Sequence, residues 1–190
     1  MEFLSPSKRE RRMGQNDEAS CQNNTKTSRK EEPSYARIDS QSVKTTCYGE
    51  NHGYDGGKTK GRKRHIVTDT MGNLLCIHVH AANIHDTKGG VYTFEKALYR
   101  YPTIQAGCAD GGYRGTFRNT FDEFHNIRID ISMQIKEQKG FQVLPKRWVV
   151  ERTFAWLNGS RRLSKDYETS CCSAETMIMI SHAATLLKRL

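Results

Sequence analysis

The sequence has no long hydrophobic run, and no stretch approaches the roughly 20 apolar residues that a membrane-spanning helix needs. The first residues, MEFLSPSKRERRM, also lack the apolar segment and small-residue cleavage site of a secretory signal peptide. We therefore expect no membrane association and a cytoplasmic location.

Cysteine pairs of the CxxC type are absent as well. The chain has 6 cysteines; Cys171 and Cys172 are adjacent, and the others are scattered singly. This pattern predicts neither a disulfide framework nor a structural zinc site.

Large apolar residues are scarce in residues 1–33. This polar, charged segment cannot bury enough surface to offset its ordering entropy, so we expect a disordered basic tail ending near Pro33. The remaining residues, 34–190, are long enough for one domain with its own core.

Positive charge is abundant. The chain has 30 Lys and Arg against 21 Asp and Glu, which gives a formal net charge of +9. Such an excess favours a polyanionic partner, with nucleic acid ahead of an anionic membrane surface. A basic surface that is merely solvated is the alternative.

From Tyr35 onward, the pattern predicts a strand, a hairpin, a helix, a strand, a helix, a strand and two final helices. The first strand is expected to end at Asp39, and residues 47–64 to form a glycine-rich basic loop. Ser173 is expected to cap the last helix. Strands that alternate with helices indicate an α/β fold with helices against a sheet.

Three carboxylates, of Asp39, Asp110 and Glu151, follow apolar segments that would anchor them. The first two are predicted at strand ends, where sites form in α/β sheets, and the third near a helix start. Three such groups repel one another unless a cation lies among them, and oxygen ligands suit Mg²⁺ or Mn²⁺. Each carboxylate could instead simply cap backbone N–H groups.

The helix predicted in RWVVERTFAWL, residues 147–157, combines charge with an apolar stripe of Trp148, Phe154 and Leu157. Its aromatic residues are expected to be core rather than a base-stacking platform. Packing of that stripe on the sheet would aim Glu151 toward the two aspartates.

Five blocks carry a resemblance to a known family: IDSQSVKTT (38–46), KGRKRHIVTDTMGNLL (60–75), VHAANIHD (79–86), ADGGYRG (109–115) and RWVVERTFAWLNGSRRLSKDYE (147–168). In this order they resemble the DDE transposases of bacterial insertion sequences, in the branch named after insertion sequence five. The resemblance extends from about Pro33 to about Tyr167.

The resemblance implies an RNase H-like mixed sheet flanked by helices, in which Asp39, Asp110 and Glu151 hold two Mg²⁺ or Mn²⁺ ions. It also implies DNA cleavage and strand transfer at transposon ends, by a homodimer on DNA in the bacterial nucleoid. Arg147 fills the family's arginine position four residues before the glutamate, so both side chains lie on one helix face.

The sequence departs from the family in several places. Leu144 and Asn158 stand where the broader pattern has Tyr and Lys, and Gly111 stands where Lys is expected. Residues 1–33 are too short and polar for the N-terminal helical domain that such transposases usually carry. A catalytically inactive, truncated DNA-binding remnant is therefore the alternative function.

Basic residues in two regions are predicted to bind DNA phosphates, which position DNA without reading its sequence. They are Lys58, Lys60, Arg62, Lys63 and Arg64 in the expected loop, and Arg147, Arg152, Arg161 and Arg162 around the last motif.

Histidines suggest a further alternative. His78, His80 and His85 have a spacing that superficially resembles metal ligands, as in a cupin-like enzyme acting on a small molecule. The simpler interpretation is a strand in which histidines alternate with apolar residues.

Overall fold

The computed structural model describes residues 32–46, 49–56, 59–132 and 147–189. The chain divides into Met1–Glu32 and Pro33–Leu190, and the fold concerns the second unit. The predicted disordered tail lies almost entirely outside the described residues.

One mixed sheet forms the centre of this unit. The middle strand β1 pairs antiparallel with β3 on one side and parallel with β5 on the other. β4 and the short β2 pair antiparallel with β3 along its other edge, and β6 pairs parallel with β5. The strands are β1 Tyr35–Lys44, β2 Gly53–Asp55, β3 Thr59–Thr68, β4 Leu74–Ala81, β5 Ala106–Asp110 and β6 Arg128–Ser132.

Helices pack on both faces of the sheet. The described helices are α1 Asp86–Arg100, α2 Thr116–Phe124, α3 Trp148–Asn158 and α4 Cys171–Leu187, with 3₁₀ turns at Gly111–Tyr113 and Arg161–Leu163. None of these helices has the length and apolarity to cross a membrane.

Two apolar cores follow from the alternation of side chains along the strands. Val67 of β3 packs with Phe94 of α1 and Phe117 of α2, whereas its neighbour Ile66 packs with Phe154 of α3. Successive strand residues point to opposite faces, so one strand serves both cores. The prediction of an α/β fold, with a mixed sheet flanked by helices, is confirmed.

The hairpin of β3 and β4 is also confirmed. Asp69 holds its turn, because Asp69 Oδ1 accepts hydrogen bonds from the backbone N–H groups of Met71 (2.7 Å) and Asn73 (2.8 Å). Gly72 has φ of 86°, a conformation that glycine adopts without strain.

Three local predictions were wrong. β1 continues past Asp39 to Lys44, because its antiparallel ladder with β3 extends to the Lys44–Gly61 pair. β3 begins at Thr59, so residues 59–64 are strand rather than loop. Ser170, not Ser173, caps α4, since its hydroxyl accepts from the Ser173 N–H.

Helix α1 lies unusually close to the sheet. Gly89 and Gly90 face it, and a β-carbon added at Gly89 would overlap His80 Nε2, while one at Gly90 would overlap Tyr113 Cε1. A mid-helix glycine costs about 1 kcal/mol relative to alanine. The close approach of α1 is the structural reason for tolerating two of them.

Candidate active site

Two of the three predicted carboxylates are brought together by the central strand pair. The parallel ladder of β1 and β5 aligns Tyr35 with Ala106 and Arg37 with Cys108. Continuing this register by two residues brings Asp39 level with Asp110. Asp39 is therefore placed by the strand interior, and Asp110 by the carboxyl end of β5.

The third carboxylate comes from α3. Val150, Phe154 and Leu157 are buried in the core between α3, α4 and the sheet, which fixes the rotation of the helix. Glu151, in the first turn, remains about half exposed. The packing predicted from the apolar stripe is present, although Trp148 is not part of it.

The guanidinium of Arg147 joins the three groups. Its Nη2 lies 3.1 Å from Glu151 Oε1 and 3.8 Å from Asp39 Oδ2, and its Nη1 lies 4.0 Å from Asp110 Oδ2. Side chains separated by as many as 112 positions in sequence thus meet at one cation. The one-turn spacing of Arg147 and Glu151 produces the contact expected from the sequence.

Asp39 is the most deeply buried of the three. The pKa of its carboxyl is raised to about 7, mainly by burial and also by the nearby charges of Asp110 and Glu151. A hydrogen bond from the Ser40 N–H and the charge of Arg147 oppose this rise. Burial therefore sets the direction of the shift, against the stabilisation that Ser40 and Arg147 give to the carboxylate.

Asp110 also has a local structural role. Its Oδ1 accepts a hydrogen bond from the Gly112 N–H at 2.9 Å and caps the following 3₁₀ turn. This contact is the capping role considered as an alternative, and it leaves Oδ2 directed toward Arg147. One carboxylate can fill both roles.

The donor set suits a hard divalent cation, because all three groups are carboxylates and one is buried beside the others. Within residues 32–46, 49–56, 59–132 and 147–189, no three His, Cys, Asp or Glu side chains form a preassembled metal site. The guanidinium of Arg147 supplies the positive charge at this point.

A polar network that the sequence reasoning missed lies behind Asp39. Ser40 Oγ donates to Asp86 Oδ1 at 2.8 Å, and Lys63 Nζ lies 3.0 Å from the same oxygen. Nearby, the Tyr113 hydroxyl is 3.0 Å from His65 Nδ1. The signal available in the sequence was Asp86 at a helix start, directly after a histidine.

The basic residues of β3 are placed differently from the prediction. Arg62, Lys63 and Arg64 are 0%, 4% and 1% exposed and have partners inside the protein. Phosphate contacts by these three side chains do not fit this placement. Lys60 is exposed at the start of β3, and Lys58 lies outside the described residues.

The basic residues near α3 are accessible. Arg147 and Arg152 are partly exposed, and Arg161 and Arg162 are exposed in and around the 3₁₀ turn after the helix. Arg162 pairs with Glu168 at 2.8 Å. The four arginines predicted to bind DNA in this region are therefore accessible to solvent.

The three histidines of the alternative metal site do not converge. His78 Nδ1 lies 3.3 Å from Glu175, whereas His85 caps α1 by accepting from the Thr87 N–H. His80 stacks against His65, with ring centroids 4.9 Å apart. In the part of the chain that the structure describes, these residues have structural partners instead of a shared ligand position.

The sequence profile of the family described as "Transposase DDE domain" matches residues 32–186, most of the chain. The chain belongs to the DDE transposase family. This DDE domain is thus of the class that carries out DNA transposition and recombination, and the family generally uses divalent metal ions and DNA substrates.

Among solved structures, the DDE domain is similar to the catalytic core domain of BIV integrase. The two chains are 12% identical, with a TM-score of 0.49, over 80% of this chain and 82% of that chain. No curated protein matches the sequence. The family assignment rests on the match to residues 32–186.

Proposed function

We propose that residues 34–190 are the catalytic domain of a bacterial insertion-sequence transposase of the insertion-sequence-five branch, which cuts and joins DNA at transposon ends. The observation that carries this proposal is the convergence of Asp39, Asp110 and Glu151 on Arg147.

In this proposal, Asp39, Asp110 and Glu151 hold two Mg²⁺ or Mn²⁺ ions. Two such ions, when bound, promote attack on a phosphodiester and stabilise the leaving oxygen. Asp39 is the buried anchor, held by the Ser40 N–H, while Asp110 and Glu151 lie nearer solvent. Arg147 orients the glutamate and moves to contact a phosphate when ions enter.

The proposed reaction has two steps at one site. Water first attacks the phosphodiester at the transposon end, which breaks the P–O bond to the 3′ oxygen and leaves a 3′-hydroxyl. That hydroxyl then attacks a phosphodiester of target DNA, forming a new P–O bond as another breaks. Neither step needs a redox partner.

DNA would lie across the basic side of the domain. Lys60, Arg152, Arg161 and Arg162 are accessible to solvent and suit phosphate contacts. A homodimer on DNA in the bacterial nucleoid completes the proposal, since two transposon ends must be joined.

A catalytically inactive DNA-binding protein is the second candidate. The specific observation in its favour is the guanidinium of Arg147, which lies within 4.0 Å of all three carboxylates. Such a protein would bind DNA with a steep dependence on salt but would not cleave it.

The deciding experiment is a nicking and strand-transfer assay with Mg²⁺ or Mn²⁺, on DNA carrying the ends of the element that encodes the protein. We expect Asp39→Asn, Asp110→Asn and Glu151→Gln each to lose at least about 100-fold in rate, the scale of removing one preorganised electrostatic group. Asp122→Asn, which changes an exposed carboxylate paired with Arg118, is the matched control.

Two results would contradict the proposal. Cleavage that survives all three changes would exclude the carboxylate site. Binding without cleavage by the wild-type chain in either metal would favour the inactive candidate.

A further inference from the structure

Lys63 is a buried lysine with two carboxylate partners. It lies in β3 with 4% of its surface exposed. Its Nζ is 3.0 Å from Asp86 Oδ1 and 3.5 Å from Asp55 Oδ1, and the carbonyl oxygen of Ile84 accepts from it at 3.3 Å. A buried ammonium needs such partners. One carboxylate is enough to neutralise one ammonium, so the second needs a separate explanation.

Each of the two carboxylates also holds a serine of β1. Ser40 Oγ donates to Asp86 Oδ1 at 2.8 Å, and Ser42 Oγ donates to Asp55 Oδ2 at 2.6 Å. Because the serines are two residues apart, their side chains lie on the same face of the strand. The two serine–carboxylate pairs are thus nearly equivalent, with Lys63 between them.

The two pairs differ in what the serine holds in turn. The Ser40 N–H donates to Asp39 Oδ1 at 2.8 Å. The residue that Asp86 holds is therefore also the residue that holds the buried carboxylate of the candidate site. The hydroxyl of Ser42 leads instead to the short strand β2, where Asp55 is the last residue.

The backbone ladder that holds β1 on its β5 side ends before Asp39. The last pair of that ladder joins Arg37 to Cys108, whereas the ladder with β3 continues and pairs Ser40 with His65. A rotation of the peptide between Asp39 and Ser40 would redirect the hydrogen bond to the carboxylate. A side-chain contact that fixes Ser40 from α1 restrains this rotation.

Asp86 is suited to this task because its own position and charge are fixed. It is the first residue of α1, where the helix N-terminus stabilises a negative charge. Partial burial raises the pKa of its carboxyl, but the hydrogen bonds from Ser40 and Lys63 outweigh burial, so the pKa lies below its ordinary value. An ionised carboxylate is a stronger acceptor for the Ser40 hydroxyl than a neutral group.

We propose that Asp86 is a positioning residue for Asp39. It fixes Ser40 through the hydroxyl, and Ser40 fixes the buried carboxylate through its N–H, so that Asp39 is oriented before an ion arrives. Successive strand residues face opposite sides, so Lys63 and α1 act on the site through the sheet. This inference rests on the proposed function, since it concerns how the same carboxylates take up a divalent ion.

Amide exchange tests the positioning without any metal. The isotope-labelled full chain and its variants are compared in EDTA by NMR, through the protection of the residue-40 amide against exchange, corrected for its intrinsic rate. We expect Ser40→Ala and Asp86→Asn to lower this protection several-fold, because the N–H is no longer held toward Asp39. Ser42→Ala and Asp55→Asn make the same changes in the other pair and should leave it as in wild type. Unchanged protection in the first two variants would overturn the proposal.

Manganese binding tests the consequence for the site. Each full-length variant is titrated with Mn²⁺ alone, and free Mn²⁺ is followed by electron paramagnetic resonance. Binding that persists in Asp110→Asn lies outside the site and is subtracted. Ser40→Ala and Asp86→Asn should bind about 10-fold more weakly, at the lower end of the effect of losing a group that orients a metal ligand. Ser40→Thr keeps the hydroxyl and should recover the wild-type affinity.

Urea denaturation separates positioning from folding. Ser40→Ala and Ser42→Ala each lose one hydrogen bond to a carboxylate, so they should lose similar amounts of stability, while Mn²⁺ affinity falls in the first alone. A loss of affinity in Ser42→Ala as large as in Ser40→Ala would overturn the proposal in favour of a network that only supports the fold.

Failure of the proposed function gives different results. Wild-type protein that shows these differences but never nicks DNA contradicts the proposed function alone. Lower amide protection in Ser40→Ala, in a chain that takes up no Mn²⁺, contradicts the metal site and supports the positioning of Asp39. Nicking by the wild type, with amide protection unchanged in Ser40→Ala, contradicts the positioning alone.

Discussion

Strand β3 and helix α3 both belong to strongly basic segments, but they use their cations in opposite ways. In β3, Arg62 and Arg64 are at most 1% exposed. Around α3, Arg147 and Arg152 stay accessible beside carboxylates and indoles. Local charge density alone therefore did not distinguish a buried cation from an accessible one.

The difference lies in what each side chain meets. Arg62 donates to the carbonyl oxygens of Glu50, Glu168, Thr169 and Ser170, and pairs with the buried Asp166 at 3.3 Å. Its five N–H donors are matched by fixed acceptors, the condition under which a buried guanidinium is stable. Arg152 has one backbone acceptor and two aromatic faces.

The largest effect is expected from Arg62→Ala. The change leaves Asp166 buried without its guanidinium, together with several unpaired carbonyl groups, so unfolding free energy should fall by about 3–5 kcal/mol. Urea denaturation measures the loss. Arg161→Ala, at an exposed site, should change the free energy of unfolding by no more than about 0.5 kcal/mol. Equal losses in the two variants would contradict the difference drawn between the buried and the accessible arginines.

The second largest effect is expected from acid pH, which should lower the stability of the fold through His65 of β3. Burial lowers the pKa of His65 to about 3, from an ordinary 6.5, with His80 adding to the effect. The unfolded chain then binds a proton that the folded chain does not, so His65 destabilises the fold as pH falls from 6.5 toward 3. His65→Gln should flatten this part of the stability curve, measured by thermal melts at several pH values. A curve of unchanged slope in the variant would contradict the assignment.

A smaller change is expected at the site itself. Arg147→Ala removes a cation that contacts all three carboxylates and should cost about 1.5–3 kcal/mol at neutral pH, typical for hydrogen bonds to charged groups. Mg²⁺ should recover more stability in this variant than in wild type, since a bound ion stabilises the folded state. Arg147→Lys, which keeps the charge, is the matched control. Melting temperatures that do not respond to Mg²⁺ in any of the three would count against a metal site here.

The smallest effect on folding should come from Arg162→Ala. The pair with Glu168 is at the surface, and such pairs contribute about 0–1 kcal/mol. Its duplex affinity should nevertheless fall at low salt, because an accessible phosphate contact is lost. Arg64→Met, at a buried position, should show the reverse pattern of lower stability and little change in DNA affinity per folded molecule. Filter binding with parallel melts separates the two.

Much of the fold was predictable because it depends on local periodicity. The hairpin around Gly72, helix α1 and strand β5 follow from apolar spacing and turn residues. The inward orientation of Arg62 was not predictable in this way, since its acceptors at Asp166 and Thr169 lie more than 100 positions away. A basic strand and a basic loop have the same composition until such partners are known.

In the candidate site, too, the features set by local sequence were predictable and those set by tertiary packing were not. Asp110 was placed correctly at a strand end from the pattern AGCAD, and Glu151 near a helix start. Asp39 was also singled out from the pattern, although its strand continues past it. The contact of Arg147 with all three required tertiary packing, although its spacing from Glu151 suggested half of it. The Ser40–Asp86 hydrogen bond arises only because α1 packs against β1 and was therefore missed.

The two glycines at the start of α1 connect the packing of that helix to the geometry of the carboxylates. A methyl group at position 90 would press on Tyr113, whose 3₁₀ turn Asp110 caps, and one at position 89 would push back His80 and lift Asp86 away from Ser40. Alanine at either position would thus strain the carboxylate framework from behind while leaving every acidic group intact. Such alleles are natural candidates for temperature-sensitive behaviour.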